Sequence, residues 1–312
     1  MTRAVDPERL RTVHLVPLTA LAPDGRLNLD AQARHTAAMA AAGIRVFLPA
    51  AGTGEFHSLT ADEIVEVVRT TREAAGAEAL VFAPVGGPIG QALDVGGRAL
   101  AAGADGLLFM PFQHPYLSDE GARDYYLAIL DRLAAPSMIY KTAPIPSNYL
   151  LCELASDPRV IAVKYAVNSL HEFRGAVRRG EACEWLCGSA ERFAPYFMLA
   201  GASGYTSGAA NLCPSISLAM HAAFAERRTD EGFRLQQLLL PIEEFRARDG
   251  DSYGISMLKH ALACTGTPVG LPRPPQRRLT GGEQTQIESL LPPILEAEAA
   301  LAGRQPDLSR TR

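Results

Sequence analysis

The sequence predicts an α/β protein: a closed (β/α)8 barrel of the TIM type with a C-terminal helical appendage. Eight short apolar segments, rich in β-branched residues, alternate with amphipathic ones. Strands that alternate with helices run parallel, are joined by crossovers and are covered on both faces. Eight such units of roughly 20 to 35 residues suit a barrel of about 200 to 250 residues. An open doubly wound sheet is the alternative, yet no GxGxxG opens a helix after the first strand. The polar groups that suggest chemistry are also scattered over many strand ends.

After a polar head, residues 13–19 read as the first strand, followed by a turn at Pro23-Asp24-Gly25 and an Ala-rich helix over 29–42. Residues 44–49 are the second strand, and the next helix begins at Thr60, whose spacing to Glu63 is that of a capping box. Strand cores follow at 79–83, 106–110, 137–140, 160–164, 184–187 and 204–207, separated by amphipathic segments such as 91–102 and 119–133. Past Asn211 the pattern changes to helices alone, at 215–227, 230–246, 252–264 and 281–301. The expected organisation is a barrel over 1–226 carrying the active site, a helical region over 227–302, and a polar, disordered tail over 303–312.

Composition narrows the function. The 312 residues are 47% hydrophobic, enough for a sizeable core, and the net charge is −4 from 30 Lys+Arg against 34 Asp+Glu. That balance provides neither a basic stripe for nucleic acid nor a polybasic membrane patch. Apolar runs fall well short of the ~20 residues of a membrane span, so a soluble, cytoplasmic protein with a small-molecule partner is expected. Cys152, Cys183, Cys187, Cys213 and Cys264 form no CxxC pair and read as core-filling thiols. The histidines show no HExxH or similar ligand set, so neither a metal nor a cofactor is expected.

The chemistry centres on Val160-Ile161-Ala162-Val163-Lys164-Tyr165, an apolar strand that ends in a lysine. Burial disfavours the ammonium form and exposes the lone pair that attacks a ketone to form a Schiff base. The plain alternative is a strand-end lysine that snorkels to water. Tyr140 ends the preceding strand, either as an aromatic plug at the barrel mouth or as a phenol that relays protons to an imine. The second strand runs into Ala50-Ala51-Gly52-Thr53-Gly54-Glu55. Its backbone N–H groups at Gly52, Thr53 and Gly54, with the Thr53 hydroxyl, suit a carboxylate, provided the glycines supply positive φ. Glu55 is expected to point away and fix the loop from behind. His114 is read as a surface-loop residue or a polar substrate contact.

These features together resemble the dihydrodipicolinate synthase / N-acetylneuraminate lyase family. The resemblance rests on the run from Ala51 through Gly52-Thr53-Gly54-Glu55-Phe56-His57-Ser58-Leu59 to Thr60, on Tyr140 at the fifth strand and on Val160 to Lys164 on the sixth. It extends from Pro17-Leu18-Thr19 to Lys259 and Leu271-Pro272-Arg273-Pro274-Pro275. It implies a class I, Schiff-base lyase of pyruvate-like 2-keto acids with Lys164 as the imine-forming residue, commonly a homotetramer. The motifs are most similar to the 5-dehydro-4-deoxyglucarate dehydratase branch, through Gly54-Glu55-Phe56, Pro115-Tyr116-Leu117 and Ala190-Glu191. By the same resemblance Ser189, Glu191 and Ser207 are candidate substrate contacts. Two departures separate the chain from the synthases: no arginine lies in 141–148, and Phe112-Gln113 replaces a tyrosine offered to the neighbouring subunit. Two others separate it from the dehydratases: Tyr140-Lys141-Thr142 replaces Tyr-Asn-Arg, and Lys164-Tyr165-Ala166 replaces Lys-Asp-Gly. Lys141 and Tyr165 are therefore expected to alter how the substrate's distal end is held. The competing readings are a synthase-type or other pyruvate-dependent aldolase, and a non-catalytic keto-acid-binding member.

Overall fold

Eight parallel strands close into a barrel in which every strand pairs with its sequence neighbours and the first meets the eighth. The computed structural model describes residues 4–303. The strands are β1 (Val13–Leu15), β2 (Val46–Phe47), β3 (Leu80–Val85), β4 (Gly106–Phe109), β5 (Ser137–Lys141), β6 (Val160–Tyr165), β7 (Glu184–Cys187) and β8 (Gly204–Ser207). The crossover helices are α1 (Leu29–Ala41), α2 (Ala61–Ala75), α3 (Ile89–Ala101), α4 (Asp119–Leu133), α5 (Asn148–Leu154), α6 (Leu170–Arg179), α7 (Ala190–Ala200) and α8 (Pro214–Ala225). Then follow α9 (Thr229–Arg246), α10 (Arg248–Asp251), α11 (Ser256–Cys264) and α12 (Gly281–Ala302). The barrel and the helical appendage are thus as the sequence pattern predicts. The tail beyond Gly303 lies outside the described residues.

The near-continuous apolar strands follow from burial on both faces, with successive side chains pointing alternately in and out. Val46, Phe82, Leu108, Met138, Ala162 and Leu186 belong to the interior cluster. Phe47, Val81, Phe109, Ile139, Val163 and Cys187 belong to the layer under the helices. Leu10 and Val5 join the interior cluster from the segment before β1, closing the end of the barrel opposite the site. Between the wall and α6–α7, Tyr165, Phe173, Trp185 and Phe197 pack with ring centroids 4.7 to 6.3 Å apart. Each such buried ring contributes about 1.5–3 kcal/mol.

The helix after β2 starts with the predicted capping box: Thr60 N–H donates to Glu63 Oε2 at 2.9 Å, and Glu63 N–H to Thr60 Oγ1 at 3.2 Å. The same Glu63 receives the Arg273 guanidinium, binding the C-terminal segment to α2. Further along, Glu298 of α12 accepts the N–H groups of Ser215 and Ile216 at 2.8 and 2.9 Å, placing a carboxylate on the positive end of α8. The helix expected over 252–264 begins instead at Ser256. Asp249, Gly250 and Asp251 all adopt left-handed φ values of 48°, 66° and 65°, which interrupts the helical path after α9.

Candidate active site

A cavity of about 480 Å³ lies at the C-terminal ends of the strands, within the ~300–1,000 Å³ usual for small-molecule sites. Residues from many elements meet there, including Val16, Thr53, Tyr140, Lys164 and Ser207.

Lys164 and Tyr140 are direct register partners across β5 and β6. Both share the inward phase of their strands, and the lysine Nζ lies 3.8 Å from the tyrosine ring centroid. Lys164 is 3% exposed. Among the described residues its amine makes no hydrogen bond and no ion pair. Burial lowers its pKa from 10.5 to about 7. The neighbouring Cys187 offers no fixed counter-charge, because burial pushes its thiol up to about 12. The amine is therefore substantially neutral near pH 7, and the snorkelling alternative does not describe it. Burial likewise raises the Tyr140 phenol to about 12, so it enters any reaction as a proton donor.

The loop after β2 supplies Gly52 and Thr53 to the cavity wall, whereas Gly54 is not a lining residue. The expectation of positive φ at the glycines is corrected: Ala50 and Glu55 carry the left-handed φ values, 54° and 65°. Gly54 is needed for close approach, since a Cβ there would lie 2.8 Å from Ala50 N and Cα. Its carbonyl accepts the Thr19 hydroxyl at 2.6 Å. Glu55 turns to the rear as expected, meeting Lys259 Nζ at 2.6 Å and the Arg273 N–H at 2.9 Å. That buried pair ties the loop to α11 and to the 271–275 segment. Among the described residues the Thr53 hydroxyl and N–H have no protein partner.

Ser189 and Ser207 also line the cavity. Glu191 does not, which corrects its assignment as a direct substrate contact. It is fully buried behind Ser207, accepting the Ser207 hydroxyl and, at 3.2 Å, that of Ser217. Its Oε2 has no partner among the described residues. Burial, and next the charge of Glu243, push its carboxyl up to about 8.

Lys141 and Tyr165, where the family motifs break, do not reach the cavity. Each lies one residue past an inward neighbour, so strand alternation turns it outward. Lys141 Nζ donates to the carbonyls of Ala143, Pro144 and Pro146 at 2.7, 3.1 and 2.5 Å, holding the loop before α5. Tyr165 joins the aromatic layer. His114 is exposed, accepts the Tyr116 N–H at 3.1 Å and lines a separate groove. Cys264 is likewise exposed, unlike the buried Cys183, Cys187 and Cys213, and stands near His260 and Glu288 on the outer C-terminal helices.

Several lining groups escaped the sequence reading: Asn168, Arg192, Glu243, Arg246 and Asp251. Three of them come from α9 and the kink after it, which fold back over the barrel mouth. No motif or spacing marks them, and strand-end logic examines the wrong part of the chain.

The fold and the site define a (β/α)8 barrel with a small-molecule pocket at its strand ends. Residues 9–293 match the Dihydrodipicolinate synthetase family, and the chain belongs to it. It is an enzyme of the lyase class. It is 31% identical to the "Probable 5-dehydro-4-deoxyglucarate dehydratase 2" of Streptomyces avermitilis over 289 residues, 90% of this chain and 86% of that one. It is 27% identical to the 5-dehydro-4-deoxyglucarate dehydratase of Pseudomonas putida over 281 residues, 88% and 92% of the two chains. The crystal structure of dihydrodipicolinate synthase from Bacillus clausii superposes with a TM-score of 0.88 at 31% identity, covering 91% of this chain and 98% of that one. Among the described residues no helix is long and apolar enough to cross a membrane.

Proposed function

We propose that the protein is a Schiff-base-forming lyase of 2-keto acids, a dehydratase or aldolase of a sugar-acid-derived substrate, with 5-dehydro-4-deoxyglucarate the leading candidate. The observation that carries this reading is the buried, unpartnered Lys164 amine against Tyr140. The dehydratase names of the Streptomyces avermitilis and Pseudomonas putida relatives support the substrate class. A pyruvate-dependent condensation is the second reading, favoured by the 31% identity to the Bacillus clausii synthase.

In this mechanism the neutral Lys164 amine adds to the C2 carbonyl, and the resulting carbinolamine loses water to give a protonated imine. Tyr140 donates and recovers the protons of those steps. The imine draws electrons from C3. In a dehydration the C3 proton leaves, and the enamine pair then expels the C4 hydroxyl, which departs as water after protonation. In a retro-aldol cleavage the C4 hydroxyl loses its proton, the C3–C4 bond breaks and an aldehyde leaves. Thr53, with the N–H groups beside it, holds the C1 carboxylate. The barrel over 1–226 and the helices over 227–302 work as one catalytic unit, since both contribute to the cavity wall. We also propose a cytoplasmic homo-oligomer, dimer or tetramer. A panel of 2-keto-3-deoxy sugar acids, read by product mass, tests the reaction type. Loss of water from one of them supports the dehydratase reading, two carbon fragments support the aldolase, and no turnover with any of them counts against both.

A further inference from the structure

Away from the strand-end cavity, three metal-ligating side chains converge on the C-terminal helices. His260 and Cys264 lie one turn apart on α11, and Glu288 reaches them from α12. His260 Nε2 is 3.1 Å from Glu288 Oε1 and 3.6 Å from Cys264 Sγ. The three ligand atoms all lie within 4.8 Å of one another. One ring nitrogen carries either a hydrogen or a lone pair, so it bonds well to only one of its two neighbours. The carboxylate calls for the hydrogen, and the thiol proton calls for the lone pair.

A divalent ion between them would serve all three. With bonds of about 2.0–2.2 Å to nitrogen and oxygen and about 2.3 Å to sulfur, a tetrahedral zinc site has ligand-to-ligand edges of about 3.4 Å for N–O and about 3.6 Å for N–S. The observed 3.1 and 3.6 Å lie close to those edges, and the Glu288 side chain is exposed and has room to adjust. Cys264 is also the last residue of α11, where the helix dipole favours a cation. Thiolate and imidazole select a zinc-class ion over magnesium or calcium, which take oxygen ligands.

We propose that His260, Cys264 and Glu288 bind a zinc-class transition-metal ion on the outer C-terminal helices, with water in the fourth position. The Cys264 thiol gives up its proton to solvent as the metal–sulfur bond forms. The ion ties α11 to α12 beside Lys259, whose amine holds Glu55 of the loop after β2 at 2.6 Å. Local motif reading does not find such a site, because its third ligand comes from a separate helix.

The test titrates cobalt(II) into the full-length, chelator-stripped protein under reducing conditions. Wild type should develop a thiolate-to-cobalt charge-transfer band and the visible bands of tetrahedral cobalt, saturating at one equivalent and erased by zinc. The other thiols are buried or half-buried, so Cys264→Ser should remove the charge-transfer band. His260→Ala and Glu288→Gln should each weaken cobalt binding at least tenfold, about the least that losing even a supporting partner of a ligand costs. Zinc should raise the Tm of wild type and leave that of Cys264→Ser unchanged. No thiolate band in wild type, a band that survives Cys264→Ser, or an equal zinc effect on the two Tm values overturns the proposal. The wild-type spectrum decides by itself should a variant fail to fold.

Discussion

Lys164 Nζ lies 3.8 Å from the Tyr140 ring centroid because the two residues are rung partners on β5 and β6 that face the same interior. An aromatic face steadies the amine without supplying the carboxylate that would keep it protonated. The depressed pKa makes a pH-dependent prediction. The neutral form grows as pH rises through about 7. Adduct formation with a 2-keto acid should therefore climb between about pH 6 and 8. A climb delayed to the usual lysine range near 10 would contradict the burial argument.

The same shift has a stability sign. Between the folded value of about 7 and the ordinary 10.5, the unfolded chain holds a proton that the folded chain lacks. The penalty is thus fully present below the folded value and fades as pH rises towards the unfolded one. Lys164→Met should raise Tm, and raise it more at about pH 6 than at about pH 9. Thermal unfolding at the two pH values checks the order.

Tyr140→Phe removes one oxygen from a residue that packs against the interior cluster. Turnover should fall on the order of a hundredfold while the fold persists, the cost of losing a positioned acid/base. Wild-type turnover would reduce Tyr140 to packing.

The loop after β2 makes a graded prediction. Thr53→Val should weaken keto-acid use by roughly 1–3 kcal/mol through the lost hydroxyl. Gly54→Ala should do worse, because its Cβ meets Ala50 backbone at 2.8 Å, whereas at Gly52 a Cβ meets nothing within 4 Å. Apparent affinity for pyruvate in each variant gives the ranking; equal effects at the two glycines would reject it.

Glu191 titrates in the opposite sense to Lys164. Its carboxyl is raised from 4.5 to about 8, by burial first and by Glu243 second. Between those values the folded chain holds the extra proton, so stability falls as pH rises through the window. Glu191→Gln, of similar shape but unable to ionise, should stabilise the protein at about pH 8 and have less effect near pH 5. Denaturant unfolding at the two pH values measures this.

The barrel was legible because its cause is local: apolar runs of strand length separated by amphipathic helices. The placement of Lys164 and Tyr140 together on the cavity wall was legible because both end neighbouring strands in the same inward phase. The outward turn of Lys141 and Tyr165 was implicit in the same alternation, since each follows an inward residue, but the broken motifs drew attention to their identities and not to their phase. Strain in the 50–55 loop fell on Ala50 and Glu55, because Gly54 answers to crowding and not to φ. The return of Glu243, Arg246 and Asp251 over the mouth depends on tertiary packing of α9, which periodicity does not encode. Their charges, and that of Arg192 on the same cavity wall, emerge from the assembled structure.

Borohydride reduction in the presence of pyruvate, followed by intact-protein and peptide mass spectrometry, tests the central claim most directly. The account predicts one pyruvate-derived adduct, located on Lys164 and absent from Lys164→Ala. No adduct, or one on another lysine such as Lys141 or Lys259, would contradict it.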